Sequence, residues 1–125
     1  VELTATEKEI KEEIEEKFDQ NKYMPPKLDE LINGYSDEGL AEEICNLLIN
    51  NGELIRVAHN IYFAYQAVKE AEELLKDYLQ KNETIDVAQF RDLLDSSRKY
   101  ALPLLEYFDQ QGITDREGDI RSLSQ

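Results

Sequence analysis

The chain has 125 residues, 41% of them apolar and 34% charged, enough for one medium domain or two small ones of about 60 residues each and too apolar for a disordered chain. Its net charge of −14 excludes a protein that holds nucleic acid nonspecifically through many Lys and Arg, and the lone Cys45 excludes an internal disulfide or a thiolate metal cluster. No apolar run approaches the roughly 20 residues of a membrane helix and no charged leader with an apolar core opens the chain, so a soluble, cytoplasmic protein is expected.

In chain order, Thr6-Glu7-Lys8-Glu9 has the form of a capping box and predicts a first helix to about Asn21, with Ile10, Ile14 and Phe18 inward at every fourth position. Glu12, Glu13, Glu15 and Glu16 fall on its solvated face, and no turn residue gathers them around a cation. Pro25-Pro26 breaks this helix and presets a short second one, Lys27 to Asn33, closed by Gly34. Ser36 or Asp37 caps a third helix to about Asn50 with Leu40, Ile44, Leu47 and Leu48 on one face. The β-branched runs 53–57 and 61–63 predict a hairpin, with the only histidine, His59, at its exposed tip.

Gln66 to Gln80 predicts a further helix with Ala67, Ala71, Leu74, Leu75 and Tyr78 inward. Thr84-Ile85 reads as a short strand able to pair with a later hairpin, and Asp86 caps a helix from Val87 to Leu94. Ser96 or Ser97 caps the last helix, which runs to about Gln111. Tyr100, Ala101, Leu104, Leu105 and Phe108 lie on its inward arc, and Arg98, Lys99, Leu102, Glu106 and Asp109 on the other. Pro103 removes one backbone bond inside that helix. Gly112 fits a C-cap, and Ile113-Thr114 and Ile120 to Leu123 flank the turn dipeptide Glu117-Gly118 in a second hairpin.

Helix, helix, helix and hairpin thus occur twice. Leu28-Asp29-Glu30-Leu31-Ile32 precedes Phe90-Arg91-Asp92-Leu93-Leu94 by 62 residues, and Gly52 precedes Gly112 by 60. The expected fold is mainly α with small β-hairpins (α+β), as two tandem winged-helix domains, a helix-turn-helix variant, at 1–65 and 66–125. The repeats differ in charge. Residues 1–65 carry 6 basic and 15 acidic side chains, a net of −9, against −1 over 66–82 and −4 over 83–125. At the start of its third helix the first unit has Asp37-Glu38-Gly39 where the second has Arg98-Lys99-Tyr100, so only the second is suited to phosphate. Arg116 and Arg121 on the second hairpin are further candidates for the same phosphate backbone or for pairing with a base, and Tyr100 is open to stacking or to core packing.

Phe90 to Leu94, Ser97-Arg98-Lys99-Tyr100-Ala101, Pro103 to Asp109 and Gly118-Asp119 with Arg121 together resemble the last winged helix of the bacterial selenocysteine-specific translation elongation factor family. The resemblance is close over about residues 84–123 and elsewhere lies in the pattern of elements. It implies a module that grips an mRNA hairpin, the selenocysteine insertion element, through Ser97, Arg98, Lys99, Tyr100, Arg116, Gly118, Asp119 and Arg121. It also implies a GTPase upstream of this stretch, contact with the ribosome through that parent factor, and a monomer. The chain opens on Val1 rather than Met, as expected of a piece of a longer protein. Asp95-Ser96, Asp115 and Glu117 stand where the family tends to have Gly-Thr and a more basic wing. Nothing reads as a phosphate-binding glycine loop, a nucleophile with its base or paired catalytic carboxylates, so neither an enzyme nor a cofactor is expected of this stretch. A winged-helix module for protein or DNA is the alternative that composition leaves open.

Overall fold

In the computed structural model, which describes residues 2–125, ten elements follow one another: α1 (Ala5–Gln20), α2 (Leu28–Asn33), α3 (Glu38–Asn50), β1 (Leu54–Ala58), β2 (Ile61–Ala64), α4 (Tyr65–Asn82), α5 (Val87–Leu94), α6 (Arg98–Gln110), β3 (Thr114–Glu117) and β4 (Ile120–Leu123). Three helices and an antiparallel two-stranded hairpin occur twice, each element starting 59 or 60 residues before its counterpart. Gly52 and Gly112 follow α3 and α6 at φ of +79° and +77°, the left-handed geometry that turns the chain from helix into strand. Among the described residues no helix is long and apolar enough to cross a membrane.

Periodicity explains the helices. Ile10, Ile14 and Phe18 of α1 are buried, as are Ala41, Ile44, Cys45 and Leu48 of α3, at the spacing that brings one side chain per turn to the same face. With Leu31 and Leu54 they form a first core. A second core gathers Ala71, Leu75 and Leu79 of α4, Phe90 of α5, Ala101, Leu104, Leu105 and Phe108 of α6, and Phe63 from β2. Burying each of the large side chains contributes about 1.5–3 kcal/mol.

The chain starts α1 earlier than the capping rule suggested. Thr4 and Glu7 form the box, the Glu7 amide donating to Thr4 Oγ1 at 3.1 Å and the Thr4 amide to Glu7 Oε1 at 2.8 Å. Thr4 and Thr6 both satisfy the spacing, and the earlier choice leaves Leu3 partly buried against the first core. Asp37 and Asp86 cap α3 and α5 as expected, Asp86 in a reciprocal box with Gln89. Ser97 stands at the N-cap of α6 without making a side-chain bond, and the Ser96 hydroxyl instead donates to the Tyr23 carbonyl. Leu74, expected inward, is 41% exposed, because at 100° per residue it lies beyond the arc centred on Ala71 and Leu75.

The hairpins differ in one detail. In β3–β4, Glu117 pairs with Ile120, so the turn residues are Gly118-Asp119 rather than Glu117-Gly118, with Gly118 at φ +63°. In β1–β2 a bulge between Arg56 and Ala58 precedes the His59-Asn60 turn, where Asn60 takes φ +62° and His59 is exposed. Ile85 pairs with Arg121 through two backbone bonds of 2.9 Å, which fastens β4 to the segment before α5 as the sequence indicated.

The two halves touch closely. Phe63 is fully buried in the second core although it precedes residue 65, and Tyr23, Ile55, Val57 and Ile61 also pack there. The Tyr23 hydroxyl donates to the Ala67 carbonyl at 3.0 Å, and Lys22 pairs with Glu70 at 2.7 Å. α4 begins on the residue after β2, with no linker between them.

Candidate nucleic-acid interface

The start of α6 carries the sequence's strongest candidates. Arg98 and Lys99 are its first two residues and both are exposed. No side chain caps this end and no acidic residue lies in its first turn, so outward-pointing amides and a partial positive charge accompany the two cations. The counterpart, α3, is closed to anions: Asp37 accepts a 3.0 Å bond from the Leu40 amide, and Glu38 lies in the first turn.

Three chain segments converge beside Arg98. The capped start of α5 (Asp86, Val87, Ala88), Arg98 itself and Asp119 of the wing turn line a cleft of about 220 Å3. Arg98 and Asp119, distant in sequence, therefore belong to one face of the fold, with Gly118 next to Asp119 in the turn. Asp86, Val87 and Ala88 were missed in the sequence because a cap and two small apolar residues carry no binding signature.

Tyr100 is half-buried. Its ring meets Phe63 edge-on, with centroids 6.4 Å apart and planes at 78°, while Lys99 Nζ lies 5.3 Å from its centroid. The ring is thus committed to the core on one side and to a neighbouring cation on the other, worth about 0.5–1 kcal/mol at an exposed site. Arg116 is exposed but engaged: its Nε donates to the Gly118 carbonyl at 2.9 Å and its Nη1 lies 3.5 Å from Glu106 Oε2. That pair is open to water and holds the guanidinium weakly.

Arg121 departs from expectation. It is 1% exposed, and it holds Asp109 with two nitrogens, Nε at 3.2 Å and Nη2 at 3.0 Å from Oδ2. The Thr114 hydroxyl donates to Asp109 Oδ1 at 2.7 Å, completing a buried polar knot between α6 and the wing. Asp109, placed on the outward arc by its helical angle, thus leans inward to meet it. The physical reason is the wing register: with the turn at Gly118-Asp119, alternation sends Arg121 inward and leaves Ile120 47% exposed. In the first hairpin the equivalent position, opposite Arg56, is Tyr62. Ser97, Arg98, Lys99, Tyr100, Gly118, Asp119 and, further along the wing, Arg116 remain as surface candidates; Arg121 does not, and Ile120 is an exposed apolar residue that sequence reasoning overlooked.

Cys45 is free and fully buried, and burial, helped by Glu42, pushes its thiol up to about 11.

Comparison with known proteins bears on this face. The family described as "Elongation factor SelB, winged helix" matches residues 77–123, the stretch that contains α5, α6 and the wing. The selenocysteine-specific elongation factor of Desulfomicrobium baculatum is 31% identical over 98% of this chain, and that of Escherichia coli (strain K12) is 32% identical over 54% of it. The chain spans only about a fifth and a tenth of their lengths, 20% and 11%. Among solved structures, the mRNA-binding domain of elongation factor SelB from E. coli in complex with SECIS RNA superposes with a TM-score of 0.72 at 26% identity, covering 94% of this chain and 98% of that one. A bacterial selenocysteine-specific elongation factor, EF-Sec, matches with a TM-score of 0.73 at 24% identity, covering 99% of this chain and 20% of that one, a likeness of fold.

Proposed function

We infer that this chain, which belongs to the winged-helix region of the selenocysteine-specific elongation factors, grips the selenocysteine insertion hairpin of an mRNA and thereby tethers a GTP-dependent factor during selenocysteine incorporation. The observation that carries this reading is the reversal of charge between two matching helix starts. α6 opens uncapped on exposed Arg98 and Lys99, while α3 opens on Asp37 and Glu38. Phosphate is attracted to the first and repelled by the second.

On this reading the chain is two winged-helix units, near residues 1–65 and 66–125, of which the second holds the RNA; the repeated order of elements supports the division. Arg98 and Lys99 neutralise backbone phosphates at the start of α6. The cleft between Arg98 and Asp119 faces the loop, where bases are splayed and their edges accessible, unlike those in the deep groove of an A-form stem. Ser97, Tyr100 and Arg116 border this face, and the wing turn at Gly118-Asp119 lets the backbone approach closely. GTP hydrolysis and ribosome contact belong to the rest of the factor, which this chain accompanies as a binding module.

An electrophoretic shift with a selenocysteine-insertion hairpin, beside a duplex DNA of equal length, tests the reading. The hairpin is expected to shift and the duplex to stay free. With about three cations at phosphates, the slope of log affinity against log salt is expected at roughly −2 to −3. Equal binding of both nucleic acids, or a slope steeper than about −6, contradicts a local hairpin site.

A further inference from the structure

Apart from the RNA face, α1, the end of α3, the first hairpin and the start of α4 enclose a cleft of about 440 Å3, within the size range of ligand-binding pockets. Its floor is apolar: Phe18, Leu48 and Leu54 from the first core, then Ala64 and Tyr65, whose ring is half-exposed. Its rim is acidic on both sides. Glu15, Glu16 and Asp19 stand on α1, and Glu53 faces them from the turn before β1. Among the described residues no Lys or Arg lines it.

The two sides of the rim sense each other. The pKa of Glu15 is raised by burial first of all; Lys11, 3.5 Å away, opposes this, and the neighbouring Glu53 carboxyl adds to the rise. Glu15 and Glu53, carboxyls from separate elements, border the same apolar floor, with Lys11 set against Glu15 alone. Phosphate is repelled here, so RNA is not the occupant. The surrounding half carries a net charge of −9, which attracts a cationic partner from a distance.

We propose that this cleft is a docking site for a basic protein segment, in which one large apolar side chain enters between Phe18, Leu54 and Tyr65 and flanking Lys or Arg side chains reach Glu15, Glu16, Asp19 and Glu53. The chemistry divides the work as most protein interfaces do. The apolar anchor supplies affinity in a pocket that sheds water, and the charged rim supplies approach rate and selects against acidic partners. The site is independent of the RNA-binding reading, since its lining residues share none with the cleft beside Arg98 and Asp119.

The test uses the whole chain without RNA. A fluorescein-labelled peptide of Lys and Ser with one central Phe is titrated by anisotropy, beside the same peptide with Ser in place of Phe. Saturable binding is expected for the Phe peptide, weakened about tenfold by loss of the Phe, by Tyr65→Ser, or by Glu15→Gln with Glu53→Gln. Amide shifts at Ala64 and Gln66 are expected to move on titration. Thermal unfolding checks that each variant folds; Tyr65 is half-exposed, so Tyr65→Ser probes the cleft without opening a core. Hairpin RNA affinity, measured in parallel, is expected to stay within about twofold in these variants, so that failure of either reading shows separately. Absence of saturable binding overturns the proposal. So does equal binding of the Phe and Ser peptides, or indifference to all three substitutions, since either means diffuse attraction to an acidic surface.

Discussion

Removing the Asp109 carboxylate distinguishes an arginine that holds the fold from one that holds RNA. Asp109 accepts bonds from Arg121 Nε and Nη2 at 3.2 and 3.0 Å and from the Thr114 hydroxyl at 2.7 Å, and Arg121 is 1% exposed. Asp109→Ala therefore strands a guanidinium without its counter-charge, which costs about 3–5 kcal/mol, and leaves a buried hydroxyl unpaired, which costs about 1–3 kcal/mol. The two overlap, since the side chains relax together, so a total of about 4–6 kcal/mol is expected against a domain stability of about 5–15 kcal/mol. Urea unfolding followed by circular dichroism reads this as a large fall in midpoint at nearly constant slope. The double variant Asp109→Leu with Arg121→Met removes both charges, and its stability is expected to return to within about 1 kcal/mol of the parent or above it. Its hairpin affinity is expected to match the parent's. A loss below about 1 kcal/mol for Asp109→Ala refutes the reasoning, because Arg121 is then free to leave the interior and face phosphate.

Two residues of α6 are expected to separate stability from binding: Leu105→Ala, at 0% exposure, costs about 2–5 kcal/mol of stability, whereas Arg98→Ala leaves the melting temperature nearly unmoved and weakens hairpin binding by about 1–3 kcal/mol. Calorimetry and titration of the folded fraction check both, and destabilisation by Arg98→Ala with intact affinity makes Arg98 a structural residue. Cys45, buried with its thiol pushed up to about 11, stays protonated at pH 8 and is expected to resist iodoacetamide in the native protein and react fully in urea. Native alkylation at the rate of a free thiol contradicts its burial.

Local patterns carried most of the fold. The four-residue spacing of Ile10, Ile14 and Phe18, the Asp86 cap and the glycines after α3 and α6 each specify an element through interactions within a turn or two, which a sequence displays directly. What it hides is set at a distance. The burial of Arg121 and the exposure of Ile120 depend on where the wing turns, and moving the turn by one residue exchanges the faces of the whole strand. An arginine in a surface hairpin is ordinarily outside; only the partner Asp109, twelve residues back on another element, makes the inward position affordable. Phe63 likewise sits in a hairpin of the first half but fills the core of the second, and no periodicity within β2 announces that. Cutting the chain at residue 65 removes that ring together with Tyr23, Ile55, Val57 and Ile61, so a fragment starting there loses part of its own core. Lys99 was legible as a surface residue because its helical angle takes it well off the apolar arc, and Arg98 because it opens the helix ahead of the packed turns, whereas the cleft that Arg98 shares with Asp86 and Asp119 exists only once α5, α6 and the wing are assembled.

In the proposed complex the start of α6, and not that of α3, meets the RNA. Titrating the isotopically labelled chain with the selenocysteine-insertion hairpin and following every backbone amide measures this directly. The largest shifts are expected at Arg98, Lys99, Gly118 and Asp119 and in the first turn of α5, with Glu38, Gly39 and Leu40 unmoved. Shifts centred on the start of α3, or spread evenly over both halves, contradict it.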